Sequence, residues 1–520
     1  MSRLPFRKFS KLVVTALLIF FSYSSCLYAQ PNIVIIISDD HAYQAISAYG
    51  SKITQTPAID RIANEGAIFK RALVTNSICG PARAAIITGK YSHKNGFKDN
   101  ENSNFNFNQD IFLKRLQQAG YQTAWFGKMH LGDSIPQGLD HYNILPGQGH
   151  YYNPDFIETG NIRKRHQGYV ANITEDFAEE WMDQRNKNKP FCVVIGHKGT
   201  HRTWMPDIRD LRAFENTTFR LPETFYDDYA TRKGAQLQDM TIEKTMRMTY
   251  DLKMFDSREE ALKDGNFKRM DKEQQDIVLG YYDSIYADLK KRNLSGHALT
   301  EWKFQRYMRD YLGTAISVDR NIGRALDYLD KNDLAQNTIV IYLSDQGFYL
   351  GEHGWFDKRW IYEESVRTPM VMRYPGVIAP GRAISQQIAN IDIAPTLLEV
   401  AGAPVPEEMD GFSFLPLLKN DRYHTRKNFY YHYYENGEHS VSPHFGIVTD
   451  RYKLFRMYKR VEGWELIDNL KDPHELTNVY GKREYRKVEK KLKRDLLRLI
   501  RQYGDGEAEV IFKQGSKGLG

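Results

Sequence analysis

Four short apolar runs stand out along the chain, at residues 32–37, 123–126, 191–195 and 338–343. Each is continuously apolar rather than alternating, as expected of a strand covered on both faces. Stretches with helical spacing lie between them, such as 111–119 and 317–330. Strand–helix alternation of this kind predicts an α/β fold with a large, mostly parallel sheet flanked by helices. Residues 202 to about 300 are charged and irregular, and are expected to form loops and helices over one end of that sheet. After about residue 420 the pattern changes. Residues 429–434 and 452–458 read as antiparallel strands, and apolar residues at 485, 488, 492, 496, 499 and 503 mark one face of a helix. The expected organisation is a large α/β domain over 30–420 and a smaller α+β subdomain over 421–520.

The first 29 residues follow another pattern. Arg3, Arg7, Lys8 and Lys11 precede an apolar run at 12–21, and a polar stretch ends in Leu27-Tyr28-Ala29. This is the layout of a secretory signal peptide, with cleavage expected near Ala29 and export to the periplasm or beyond the cell. The apolar run is too short to span a bilayer comfortably. Lipidation at Cys26 is the alternative, which the preceding Ser22-Tyr23-Ser24-Ser25 fits poorly. Four of the 72 basic residues fall in this leader, which has no acid, so the formal charge of +7 drops to about +3 without it. No basic tract argues for nucleic acid. Cys79 and Cys192 remain, too few to staple an exported chain of this size, although one bridge between them is open.

Each of the four runs ends in residues able to do chemistry: Asp39-Asp40-His41, Lys128-Met129-His130, His197-Lys198-Gly199-Thr200-His201 and Asp345-Gln346-Gly347. Open α/β sheets bind ligands outside the carboxyl ends of their strands, so these distant segments can converge. Asp39, Asp40, Asp345 and Gln346 offer only oxygen donors, which suits Ca²⁺ or Mg²⁺ better than zinc. Either pair alone also reads as a cap on a following turn. In Cys79-Gly80-Pro81-Ala82-Arg83, Pro81 suits the first turn of a helix and Gly89 its end. Cys79 then sits at a helix N-terminus, where unpaired N–H groups favour an anion, with Arg83 one turn in. A buried structural cysteine and a catalytic thiolate with a His partner fit the same segment.

The Cys79-x-Pro81-x-Arg83 segment, followed by 84–89, resembles the formylglycine signature of type I sulfatases, in the alkaline phosphatase superfamily. ISDDH at 37–41, GKMHLG at 127–132, HKGTHRTWMP at 197–206 and SDQGFYLGEHGWFDKRWIYEES at 344–365 resemble sulfatase blocks in the same order. The resemblance extends through 464–479. Two positions depart from the pattern: Ala82 where Ser is common, and Gln346 where many members have Asn. The resemblance implies Ca²⁺ held by Asp39, Asp40, Asp345, Gln346 and the modified Cys79. It also implies a partner enzyme that oxidises Cys79 to formylglycine, whose hydrate attacks sulfur. Calcium and Arg83 then activate that hydrate, His201 is the proton donor to the leaving sugar alcohol and His130 the base, while Lys128 and Lys358 hold sulfate oxygens. GQGHYYNPDF at 147–156, HRTWMP and LPETFYDDY resemble the branch acting on N-acetylglucosamine-6-sulfate, and an enzyme for algal polysaccharides such as ulvan or carrageenan would look similar. His150, Tyr151, His197, Trp355 and Arg359 are candidate sugar contacts. A phosphodiesterase or phosphonate monoester hydrolase of the same superfamily, and a non-catalytic glycan-binding protein, are the alternatives.

Overall fold

The computed structural model describes residues 30–514 apart from 133, 421 and 424. The expected signal peptide and Cys26 lie outside the described residues. Ten strands form the main sheet, in the order Arg382–Ile384, Ala67–Phe69, Met370–Arg373, Thr338–Ser344, Asn32–Ser38, Phe191–Gly196, Gln122–Lys128, His141–Leu145, Asp155–Glu158, Ile162–Arg165. The four strands expected from the apolar runs are adjacent and parallel at its centre, joined by His141–Leu145 as a fifth.

Alternation sorts the side chains of the central strand. Ile33, Ile35 and Ile37 point into the core that contains helix residues Ala84, Ile86 and Leu397. Val34 and Ile36 point the other way, into the core shared by Ile59, Ala178, Val318 and Ile322 of helices Pro57–Asn64, Val170–Gln184 and Gly296–Lys331. Covering on both faces explains why these strands read as unbroken Ile and Val.

Five of the nine neighbouring strand pairs are parallel, the four at the centre and Arg382–Ile384 with Ala67–Phe69 at one edge. Met370–Arg373 runs antiparallel to both neighbours, and so do the outer strands Asp155–Glu158 and Ile162–Arg165. The last two are joined by three residues, a link long enough for a hairpin but not for a parallel crossover.

Between residues 202 and 300 the chain is irregular but not merely superficial. Met246, Leu252, Met254 and Phe267 are buried in a core of their own with Tyr307 and Tyr311. The helix expected over 317–330 begins 21 residues earlier and spans Gly296–Lys331. Its first half hides behind charge: Arg306 and Asp310 are buried on it and pair with each other, and Lys253 Nζ lies 3.0 Å from Asp310. An apolar-spacing test counts such positions as surface.

The C-terminal part is a four-stranded antiparallel meander, Phe429–Tyr433, His444–Val448, Tyr452–Met457 and Gly463–Asp468. The amphipathic helix Arg486–Tyr503 buries Leu492, Leu496, Leu499 and Ile500 in the same core as Phe429, Phe445 and Leu454. Among the described residues no helix is long and apolar enough to cross a membrane.

Candidate active site

Register brings the site together. Ser38 pairs with Ser344, Ile37 with Gly196 and Gly127 with Gly196, so four strands end level. Close approach is needed there: Gly127 has φ +83, and a Cβ on it would lie 2.1 Å from the Gly196 carbonyl oxygen. The segments beyond are then tied together. The Asp345 N–H donates to the Ser38 carbonyl at 3.1 Å, the Asp39 N–H to Gly199 at 3.1 Å, and the Asp40 N–H to Asp345 Oδ1 at 3.1 Å. Asp40, His130, Asp357 and Arg359 all hold positive φ. Such conformations cost roughly 1–3 kcal/mol each and persist where the surroundings over-determine them.

Cys79 opens the buried helix Cys79–Thr88, and Gly89 caps its far end in the left-handed conformation. The cysteine therefore sits where the helix concentrates its partial positive charge. Cys79 and Cys192 are both free, so the possible bridge is not formed. Arg83, one turn in, donates from Nε to Asp345 Oδ2 at 2.8 Å and from Nη1 to the Lys128 carbonyl at 2.9 Å. Lys128 pairs with Asp39, and Lys358 Nζ with Asp40 Oδ2 at 2.7 Å. The Gln346 amide donates to Asp40 and lies 3.7 Å from Cys79 Sγ. His201 Nε2 lies 3.9 Å from Asp40 Oδ2, while its Nδ1 donates to the Arg202 carbonyl at 2.6 Å.

Asp39, Asp40, Cys79 and His201 present ligand atoms all within 4.8 Å of one another. Asp39, Asp40, Asp345 and Gln346 are completely buried, and Asp39 Oδ1 and Gln346 Oε1 have no hydrogen-bond partner among the described residues. Burial pushes Asp40 up to about 6; burial and the charge of Asp39 push Asp345 up to about 7. Burial opposes ionisation of Asp39 too, yet Lys128, His201, Arg83 and Lys358 hold it well below the usual carboxylate range. Converging buried oxygens, two of them orphaned, fit a hard divalent cation. Burial, with Lys128 beside it, holds the pKa of His130 well below that of free imidazole, and burial does the same for His201. Burial and Asp39 push the Cys79 thiol well up, so it is neutral.

These groups open on a cavity of about 390 Å³. Cys79, His130, His201, Lys358 and Arg359 line it, as do Asn100, Glu101, Gln148, Arg202, Tyr250, Phe348, Phe356, Asp357, Glu435 and Glu438. Arg359 is held by Asp357, Tyr433 and Glu435. Of the expected sugar contacts, only Arg359 is among the lining residues. Trp355 is in the core, its ring N–H donating to the Tyr229 hydroxyl at 2.8 Å; its neighbour Phe356 faces the cavity. Tyr151 is buried with its hydroxyl on the His201 carbonyl. His197 is buried and is not a lining residue, with burial pushing it down to about 4. His150 lies against Gly265. Gln148 and Asp357 also line the cavity; both lie within sulfatase-like segments, 147–156 and 344–365, whose sequence does not mark them as site residues. Glu435 and Glu438 come from the C-terminal part and carry no local signal.

A larger cleft of about 750 Å³ lies at the far end of the meander, lined by Asn428, Thr449, Arg451 and Lys491 among others, with none of the residues above. Chemistry, not size, identifies the site.

The model of the sulfatase family matches residues 31–403, and the C-terminal model of N-sulphoglucosamine sulphohydrolase matches 351–502. An N-acetylglucosamine-6-O-sulfatase of Bacteroides thetaiotaomicron is 47% identical over 523 residues, covering 96% of this chain and 93% of that protein. An ulvan-active sulfatase of Formosa agariphila is 24% identical, covering 95% and 86%. A solved structure, described as a complex with its substrate D-glucosamine-2-N,6-O-disulfate, superposes with a TM-score of 0.90 at 48% identity, covering 92% of this chain and 99% of that one. The phosphonate monoester hydrolase of Agrobacterium radiobacter shares the fold, at TM-score 0.65 and 18% identity, covering 91% and 96%. The family match and the 47% identical relative agree: the chain belongs to the sulfatase family, and it is a sulfuric ester hydrolase.

Proposed function

We propose that this enzyme removes the 6-O-sulfate of a glucosamine-type residue in a sulfated glycan, using calcium and Cys79 oxidised to formylglycine. One observation carries the reading: Cys79 at a helix N-terminus faces the Asp39–Asp40 and Asp345–Gln346 pairs, with two lysines, Arg83 and two histidines around them. The name of the 47% identical relative, for N-acetylglucosamine-6-O-sulfate, and the 6-O-sulfated glucosamine in the solved structure at 48% identity support the substrate class.

Asp39, Asp40, Asp345 and Gln346 would hold the calcium, which would supply fixed positive charge for an anionic ester. Oxidation of position 79, by a separate maturation enzyme, supplies a hydroxyl nucleophile in its hydrate. Lys128, Lys358 and Arg83 offset the charge of the ester and of the departing sulfate. His201 keeps Nδ1–H on the Arg202 carbonyl, so Nε2, at the cavity, is the atom that takes up and then gives the proton for the leaving alcohol. Negative charge from the bound ester favours that proton. The small cavity suits one terminal sulfated ring. The leader pattern at 1–29 supports export, to the periplasm or outside the cell.

The test is sulfate release from N-acetylglucosamine-6-sulfate, D-glucosamine-2-N,6-O-disulfate and ulvan oligosaccharides, beside a phosphate ester, with Ca²⁺ or Mn²⁺. The expected result is preference for the 6-sulfated glucosamines with Ca²⁺ and its loss in Cys79→Ala. Preference for the phosphate ester with Mn²⁺, or full activity in Cys79→Ala, overturns the reading.

A further inference from the structure

We propose that Gln148 is a positioning residue that fixes the tautomer of His130 while holding Lys128. This deepens the hydrolase reading above and rests on it for its mechanistic meaning. The amide of Gln148 bridges the two groups: Oε1 accepts from Lys128 Nζ, and Nε2 lies 3.2 Å from His130 Nε2.

Donor chemistry settles the orientation of that amide. A lysine ammonium has only donors, so the atom it meets has to be the amide oxygen. The amide NH₂ then faces His130 and can only donate. His130 Nε2 must therefore present a lone pair, which leaves the ring proton on Nδ1. A proton on Nε2 sets two donors against each other at 3.2 Å, half-buried at the cavity wall. Nδ1 is buried and has no hydrogen-bond partner among the described residues. His130 thus rests as a neutral ring with Nδ1–H as its uncommitted donor, and it takes up a proton at Nε2 only by parting from Gln148.

The chain builds this contact with care. Lys128 pairs with Leu145 in register, so the segments following the two strands run side by side. Gln148 stands in a turn closed by the Gly149 N–H on the Pro146 carbonyl at 3.0 Å. Gly147 and Gly149 flank it at φ +53 and +65, and a Cβ on Gly149 would meet Leu145 Cδ1 at 2.9 Å. The carbonyl of Gln148 accepts from Lys198 Nζ at 3.0 Å, and that ammonium lies 4.8 Å from the ring centre of Tyr151. Tyr151 in turn donates to the His201 carbonyl. One turn thereby ties together the segments that carry Lys128, His130 and His201.

Two variants separate the proposal from a merely structural role. Gln148→Glu keeps the shape and still accepts from Lys128, but replaces the donor facing His130 with an acceptor. In protein with ¹⁵N-labelled histidine, the His130 signals, identified by their loss in His130→Gln, are expected to show Nδ1–H in the parent. In Gln148→Glu they are expected to move to Nε2–H or to the doubly protonated ring. With a 6-sulfated glucosamine, Gln148→Glu should lower kcat roughly tenfold or more, the scale of lost outer partners of site residues, with KM near the parent value and an altered pH profile. Gln148→Leu, which also releases Lys128, should raise KM as well. An unchanged nitrogen pattern in Gln148→Glu, or parent-like kcat in Gln148→Leu, overturns the proposal. The nitrogen pattern needs no turnover, so it stands or falls separately from the substrate assignment.

Discussion

Lys358→Ala is the sharpest perturbation of the charge balance. Lys358 Nζ is 2.7 Å from Asp40 Oδ2 and 3.3 Å from Asp357 Oδ1, and its side chain is 5% exposed. It lies outside the Cys79-to-Arg83 maturation motif, so its loss reports on chemistry rather than on oxidation of position 79. Two unit charges 4 Å apart interact by about 4 kcal/mol at an effective dielectric of 20. With part of that recovered by relaxation and water, about 3 kcal/mol of transition-state stabilisation should vanish, or about a hundredfold in kcat/KM. Calcium affinity should move the other way. The ammonium neutralises Asp40 and repels any cation beside it, so the alanine variant should bind calcium as tightly as the parent or more tightly. Sulfate release and calorimetric calcium titration at one pH measure both. A kcat/KM within about threefold of the parent, or calcium affinity lost in step with activity, would refute the reasoning.

Chelation of calcium should abolish sulfate release and lower the unfolding midpoint, because it leaves three buried carboxylates without their divalent counter-ion; re-addition should restore both, and a midpoint indifferent to chelator contradicts the ligand set. Glu175 is buried, both its carboxylate oxygens lack a hydrogen-bond partner among the described residues, and burial, with Glu179 nearby, pushes its pKa well up. Its folded form holds a proton that the unfolded chain releases near pH 4.5, so its contribution to stability is lost as pH rises above that value. Glu175→Leu should therefore stabilise by about 1–3 kcal/mol at pH 8 and less at pH 5, measured by denaturant unfolding. Gly127→Ala puts a Cβ 2.1 Å from the Gly196 oxygen at φ +83, and should cost about 2–4 kcal/mol in the same assay.

Much of the site was legible because its chemistry is local in sequence. Each of the four central strands runs straight into its polar residues, so Asp39, Asp40, Lys128, His130, His201, Asp345 and Gln346 were all visible as strand ends. The rest was not, for physical reasons. Sheet direction at the edges depends on which strands meet, not on composition. The first half of Gly296–Lys331 was hidden by the buried Arg306–Asp310–Lys253 cluster. Trp355 and Tyr151 sit in sulfatase-like motifs, but packing turns the first into the core and ties the second to the His201 carbonyl. Glu435 and Glu438 reach the cavity from beyond residue 430, a proximity that only tertiary structure provides.

Mass spectrometry of the peptide containing residue 79, taken from protein preparations of graded activity, bears most directly on the mechanism. Activity should scale with the fraction of chains in which an aldehyde oxygen has replaced the thiol sulfur. A fully active preparation in which that peptide still carries its thiol would contradict the account.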